Sequence, residues 1–217
     1  MPRNWQGVVA GMTDVQKLVH LAMRLSDDEI DRIRGELLRE GRASYENELT
    51  MQARRVGCRN RTGRLTTGPA LSELNRLYEE HARSIVNTYN YDLAGAIVAI
   101  GAELPTANRN TYAARLRGWE GRRNAWKLPQ IAQMTDGYAR AMAQSDFHIN
   151  NGIIGYAILQ PIKAVCPVCM GWVARGEVPM REALNNPPPY HGFCPHLWRT
   201  YPDKASAGQC ADLWMGE

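Results

Sequence analysis

The sequence is poor in features that announce chemistry. It holds no Gly-rich phosphate loop, no G-x-S-x-G nucleophile elbow and no H-E-x-x-H pair, so the usual signatures of phosphoryl transfer, α/β-hydrolase chemistry and zinc proteolysis are missing. The opening Met1-Pro2-Arg3-Asn4-Trp5 lacks the apolar run of a secretory signal. The longest apolar stretch, Leu93 to Ala102, is too short to span a bilayer. A cytoplasmic origin and no membrane partner are therefore expected. Charge imbalance is small as well, +4 overall with a pI near 8.9, which permits an acidic partner without requiring one. There is no internal repeat, and no low-complexity tract beyond Pro187-Pro188-Pro189.

What is there is mostly helix. At 217 residues, 44% hydrophobic and 22% charged, the chain can bury one continuous core and a small satellite. Thr13 can cap a first helix carrying Val15, Leu18, Val19, Ala22 and Leu25 at helical spacing. Ser26-Asp27-Asp28-Glu29 reads as a capping box for a second, with Ile30, Ile33, Leu37 and Leu38 as its buried stripe and a stop near Gly41. A further helical stretch from Ser44 to Val56 leads into a loop from Gly57 to Pro69. The clearest element follows: from Leu74 to Leu104 apolar residues hold one face of a long helix that Pro105 ends. Two more helices are expected, one with Tyr112, Leu116, Trp119 and Trp126, the other with Ile131, Met134, Tyr138 and Met142.

After Asn150-Asn151-Gly152 the composition changes. Ile153 to Leu159 has strand character, and the remainder is rich in turn-forming Gly and Pro. The expected fold class is mainly α, with a helical domain at 1–150 and a small zinc-bound β-hairpin module at 151–217.

Five cysteines occur, and three of them share a 31-residue window with His191 and His196. Without a secretion signal, such clustering reads as metal ligation rather than disulfides. Cys58 and Cys210 are left over as ordinary thiols. Cys166-Pro167-Val168-Cys169 presents two sulfurs from one tight turn, and Tyr190-His191-Gly192-Phe193-Cys194-Pro195-His196 supplies the other half. Between Cys169 and His191 lie 21 residues, including the hairpin-like Trp172 to Val178, enough to fold back and close a site. The expected cofactor is one structural Zn2+. His191 and Cys194, an H-x-x-C pair, are the preferred second pair; His196 is the alternative ligand, in a C-x-H pair that must reach around Pro195. Four protein ligands leave no position for a catalytic water. A redox Cys-x-x-Cys is disfavoured because no βαβ pattern accompanies it.

The ordered run Cys166-Pro167-Val168-Cys169, a Gly-containing turn, Val178-Pro179, then Pro188-Pro189-Tyr190-His191-Gly192-Phe193-Cys194 resembles the C-terminal module of the phage Mu F-like minor head proteins. The stretch from Ile131 to Ala139 is similar to the Arg-Thr-Glu helix that precedes that module in the family. It lacks the arginine, and His196 stands where the family has its final cysteine. The resemblance covers about Leu128 to Trp198. It implies a tailed-bacteriophage virion protein, a minor head component near the portal that acts in head morphogenesis, DNA packaging or ejection. It further implies assembly in the host cytoplasm, several copies per particle, and portal or major capsid protein as partners.

Two segments are basic. Arg54, Arg55, Arg59, Arg61 and Arg64 occur within 11 residues that hold no acid, a stretch able to contact packaged DNA. Residues 109 to 127 carry six basic groups against Glu120, with Trp119 and Trp126 seven apart as expected of a core stripe. Residues 26 to 48 oppose these with a net charge of −4. His20 and His81 are expected at core edges. His148 has only Asp146 nearby in sequence and no nucleophile to activate. No catalytic constellation remains, so a non-enzymatic structural protein is expected; the alternative is a zinc-containing nucleic-acid-binding protein.

Overall fold

A computed structural model describes residues 27–66, 68–103, 109–159, 166–190, 194, 196–203 and 208–216. The helix expected between Thr13 and Leu25, with His20, lies outside them. The chain is mainly helical, with one small antiparallel sheet near its C-terminus. No helix among the described residues is long and apolar enough to cross a membrane. Three long helices come first: α1 (Asp27–Arg55), α2 (Pro69–Glu103) and α3 (Arg109–Asn150). They are followed by β1 (Gly155–Leu159), α4 (Pro167–Arg175), β2 (Glu177–Pro179), α5 (Met180–Leu184) and β3 (Trp198–Pro202).

Two sequence punctuators turn out to lie inside helices. Gly41, expected to stop a helix, is the point where α1 meets Tyr78: a Cβ there would sit 2.1 Å from the Tyr78 hydroxyl. That hydroxyl passes on to donate to the Thr135 carbonyl of α3 at 2.7 Å. The glycine is thus a packing residue, and one helix of 29 residues replaces the two expected. Pro129 likewise lies within α3. It forfeits one backbone hydrogen bond, yet the 42-residue helix runs through it, where two helices were expected.

The chain divides into two compact units, one formed by 1–35 with 79–129 and the other by 36–78 with 130–217. The helix-to-sheet change expected at 150/151 coincides with the end of α3, whereas the units are divided elsewhere and each draws on the long helices.

In the first unit, α2 and α3 run antiparallel. Leu93, Ile97 and Ile100 pack on Tyr112, Ala113 and Leu116, with Tyr89 and Trp119 at the edge. Tyr112 donates to the Ile97 carbonyl at 2.6 Å and Tyr89 to the buried Glu120 carboxylate at 2.6 Å. Arg123, counted in sequence among the free basic groups, is buried in an ion pair with Asp92 at 2.7 Å. Trp119 joins the core stripe as expected. Trp126 does not: it is 51% exposed beneath the Lys127 ammonium.

In the second unit, two helix ends have the same construction. Gly57 and Gly152 take positive φ, and the following residues close back onto the helix: Cys58 N–H to Ala53 O at 2.8 Å and Ile153 N–H to His148 O at 2.9 Å. This is the six-to-one closure that glycine makes accessible. It terminates α1 and α3 sharply and delivers Cys58 and Ile153 into buried positions.

The sheet has the order β2-β1-β3, antiparallel throughout, so three strands stand where a hairpin was expected. Segment 172–178, expected to be hairpin-like, forms the last four residues of α4 and the first two of β2. The two-residue alternation of β1 turns Ala157 and Leu159 inward, where they pack with Val178 and Trp198. On the other face Tyr156 and Tyr201 stack at 4.8 Å.

Candidate metal centre

Cys166-Pro167-Val168-Cys169 is the first turn of α4. Cys166 is its N-cap, with its Sγ accepting from the Cys169 amide at 3.2 Å, and Pro167 takes the first position. A proline there gives up only an amide that would be unpaired anyway. A helix N-terminus also favours negative charge, so one turn both spaces the sulfurs and stabilises a thiolate. Hydrogen bonding from Cys169 holds the half-exposed Cys166 thiol below its ordinary range. Burial, reinforced by the Cys166 and Cys194 sulfurs, raises that of Cys169. Burial and the same three sulfurs raise the Tyr190 hydroxyl above its ordinary range.

The second half arrives just before β3. Cys169, Cys194 and His196 present ligand atoms that all lie within 4.8 Å of one another, and all three residues are buried. Cys169 Sγ is 3.8 Å from Cys194 Sγ, which is 3.5 Å from His196 Nδ1. A tetrahedral zinc bound at about 2.3 Å from sulfur and about 2.05 Å from nitrogen sets edges of about 3.8 Å between two sulfurs and about 3.6 Å between sulfur and nitrogen. Both observed separations match. Two thiols in simple contact give a similar sulfur–sulfur distance; a buried imidazole against the same sulfur supplies the second edge of a coordination face.

The module around these groups is small and apolar. Ala157, Leu159, Val178, Ala183 and Trp198 pack with Cys169 and Cys194, and Trp172 meets Trp198 edge-on at 5.4 Å. The Trp198 indole donates to the Asn186 carbonyl at 3.1 Å.

Of the ligands expected from sequence, Cys169 and Cys194 are brought together, Cys166 adjoins them, and His191 lies outside the described residues. The histidine in the cluster is the alternative, His196. Its C-x-H spacing looked awkward in sequence because of Pro195, yet both side chains reach the same point.

The remaining cysteines correct the sequence reading. Cys58 and Cys210, expected as ordinary thiols, are joined in a disulfide with Cα atoms 5.4 Å apart, within the range that bonding needs. They meet because the C-terminal segment folds back along the loop after α1. Arg64 N–H donates to Met215 O at 2.9 Å, Arg61 to Leu213 O at 2.6 Å, and Asn151 brackets Trp214. Two leftover cysteines are an even number, and that was the one available signal.

Sequence also missed a buried polar network. The Glu48 carboxylate, 1% exposed, accepts from Gln52 at 2.6 Å, Gln144 at 2.9 Å and Arg140 at 2.9 Å. Gln52 Oε1 accepts from Thr200 at 2.8 Å and contacts His148 Nε2 at 3.2 Å, while Gln144 also donates to the Trp198 carbonyl at 3.0 Å. Arg55 donates to Thr200 at 3.1 Å. β3, which follows the candidate ligands Cys194 and His196, is thereby fastened to α1 and α3. Of the five arginines proposed to meet DNA, Arg55 and Arg61 are half-buried in these internal contacts, whereas Arg54, Arg59 and Arg64 are exposed.

Comparisons with family models, with curated proteins and with solved structures return no match. The likeness to minor head proteins rests on its motif residues alone.

Proposed function

We propose that this chain is a non-catalytic, zinc-stapled structural protein of a tailed-phage head, a minor component near the portal, with Cys166, Cys169, Cys194 and His196 as the zinc ligands. The observation that carries the metal reading is the buried Cys169–Cys194–His196 trio, two of whose edges have tetrahedral lengths. Cys166 supplies the fourth ligand from the α4 N-cap. Such a centre is closed, since its inner three ligands are buried and four protein groups leave no position for water or substrate. Its contribution is to folding, on the order of 10 kcal/mol for a small domain with little core of its own.

The virion reading is supported by the C-P-x-C, Val-Pro and P-P-x-H-x-x-C order of the motif. In this reading the rigid module docks on portal or capsid subunits, and Arg54, Arg59 and Arg64 face the genome. Protein purified without chelator carries one zinc per chain; a metal-free preparation with Cys166, Cys169 and Cys194 all titratable would overturn the metal reading. His196→Ala loses zinc while His191→Ala keeps it, and the reverse result replaces His196 by His191. For the virion reading, substituting Cys166 and Cys169 together lowers incorporation into particles more than it lowers protein level. Normal incorporation and full infectivity remove the docking role, and tight, steeply salt-dependent binding to free DNA without association with portal or capsid favours the nucleic-acid-binding alternative.

A further inference from the structure

A second site lies within the same compact unit, where α3 turns into β1 and meets α5. A cavity of about 550 Å³ is lined there by His148, Ile153, Met180 and Leu184, with Ile149, Ile154 and Arg181 also on its boundary. That volume is in the range of small-molecule sites. Ile153, Met180 and Leu184 are buried, while Ile149 and Ile154 are more than 60% exposed, so the apolar lining continues to the surface.

The polar group is His148, 1% exposed, and its tautomer follows from its neighbours. The ion-paired Glu48 carboxylate can only accept, so the Gln52 amide nitrogen faces it. The Gln52 oxygen is then left to accept from Thr200 and from His148 Nε2. Nε2 therefore carries the proton and Nδ1 is a bare acceptor. Nδ1 is buried and has no hydrogen-bond partner. Unmatched buried polar groups are few in native proteins and each calls for an explanation; beside a cavity, a bound molecule supplies one. Burial, then the nearby Arg55, depresses the imidazole pKa to about 4 against the opposing pull of Glu48, which keeps Nδ1 an acceptor at neutral pH.

We propose that this cavity binds a small, predominantly apolar molecule carrying one hydroxyl or N–H donor, with the donor bonded to His148 Nδ1 and the body against Ile153, Met180 and Leu184. An aromatic body suits it, since the Met180 thioether makes favourable contacts with rings. The site shares no residue with the metal ligands and stands or falls independently of the zinc reading.

The test is to titrate the zinc-loaded full chain with 4-ethylphenol and with 4-ethylanisole, of nearly the same shape but without a donor, following the His148 ring and the Ile153 and Leu184 methyl signals by NMR. 4-Ethylphenol shifts these signals saturably and binds at least about tenfold tighter, as expected when a buried acceptor is left unmet by the second probe. In His148→Phe the two probes bind within about twofold of each other, and in Leu184→Trp, which fills the cavity, neither binds. No saturable shift with either probe, equal affinity in the unaltered protein, or a tenfold preference surviving in a folded His148→Phe overturns the proposal. The comparison of probes on the unaltered protein decides it even if a variant fails to fold.

Discussion

The two compact units are held together by different means. In the first, the stabilising contacts are apolar side chains from two antiparallel helices, Leu93, Ile97 and Ile100 against Tyr112 and Leu116. Polar contacts there, Tyr89–Glu120 and Arg123–Asp92 with the guanidinium over the Tyr89 ring, flank that apolar stripe. In the second, a sheet of three short strands carries a small core in which two of the seven buried members are Cys169 and Cys194 of the candidate metal centre, and a buried polar network binds β3 to α1 and α3. Apolar burial degrades gradually, because each side chain contributes about 1.5–3 kcal/mol on its own. A metal face and a charge network fail together when one member is removed.

The sharpest way to break that contrast is to take away the metal. Chelation, or Cys169→Ala, is expected to cost the second unit most of the order-of-10-kcal/mol contribution of a closed zinc site. β3 then releases Gln52 and Gln144, so loss of structure spreads from 155–202 into the adjoining helix segments. Amide hydrogen exchange checks this: protection at Ala157, Trp198 and residues 48–52 falls together, while protection at Leu93–Ile100 and Tyr112–Leu116 persists. Retained protection at residues 48–52 would show that the module melts alone.

The next effect is at Glu48. Glu48→Leu leaves Arg140 and the amides of Gln52 and Gln144 without their shared acceptor, and removal of one partner from a buried charge network costs about 3–5 kcal/mol. Denaturant unfolding should register that loss. Leu116→Ala in the first unit provides the comparison, at about 2–5 kcal/mol from transfer and cavity alone, and without any change in zinc content. If Glu48→Leu also leaves zinc affinity untouched, the network and the metal centre are independent supports.

The first unit was largely legible in the sequence and the second only at its ligands. Helical periodicity survives translation into structure because it is local, so the Val86–Ile100 part of the α2 stripe and Leu116 could be read directly. Gly41 and Pro129 misled, the glycine because its role depends on Tyr78 opposite it, the proline because α3 runs through it at the loss of one backbone bond. The Cys-x-x-Cys pair was readable because one turn makes it. The choice of histidine was not, because the contact of His196 with Cys194 is set by the folded chain and not by the two-residue spacing that favoured His191. Nothing local marks Glu48, Gln52, Gln144 and Thr200 as one network, since the bonds that join α1 to α3 and to β3 span 96 and 148 residues. Cys58 and Cys210 are 152 residues apart and meet only because the tail returns to α1.

That tail gives the third prediction. With so long a loop closed, reduction of Cys58–Cys210 is expected to destabilise the chain by about 2–4 kcal/mol, lowering the melting temperature by roughly 5–15 °C at this chain length. Cys58→Ser with Cys210→Ser reproduces the loss without touching zinc. Equal melting temperatures for the oxidised protein and the double variant would mean that the backbone bonds of Arg64 and Arg61 hold the tail unaided.

The smallest effect concerns His148 and separates the polar network from the metal by its pH dependence. Burial, with Arg55 adding to it and Glu48 opposing, lowers the folded-state pKa of His148 from 6.5 to about 4. The unfolded chain therefore takes up this proton first. Stability is full above about pH 6.5, declines as pH falls through the window from 6.5 to 4, and loses nothing further from this group below it. Between pH 7 and pH 5.5 the expected loss is about 1 kcal/mol, rising to about 3 kcal/mol when the window is crossed, at about 1.4 kcal/mol per unit of pKa difference. The narrower interval is the useful one, because acid also protonates the cysteine ligands and releases metal. Urea unfolding of zinc-loaded protein at pH 7, 6.5, 6 and 5.5 should show this decline in the unaltered chain and a flatter profile in His148→Gln, which keeps an amide where the imidazole stood but cannot titrate. Parallel profiles for the two proteins would assign the acid sensitivity to the metal ligands, leaving the network as a pH-independent fastening of β3.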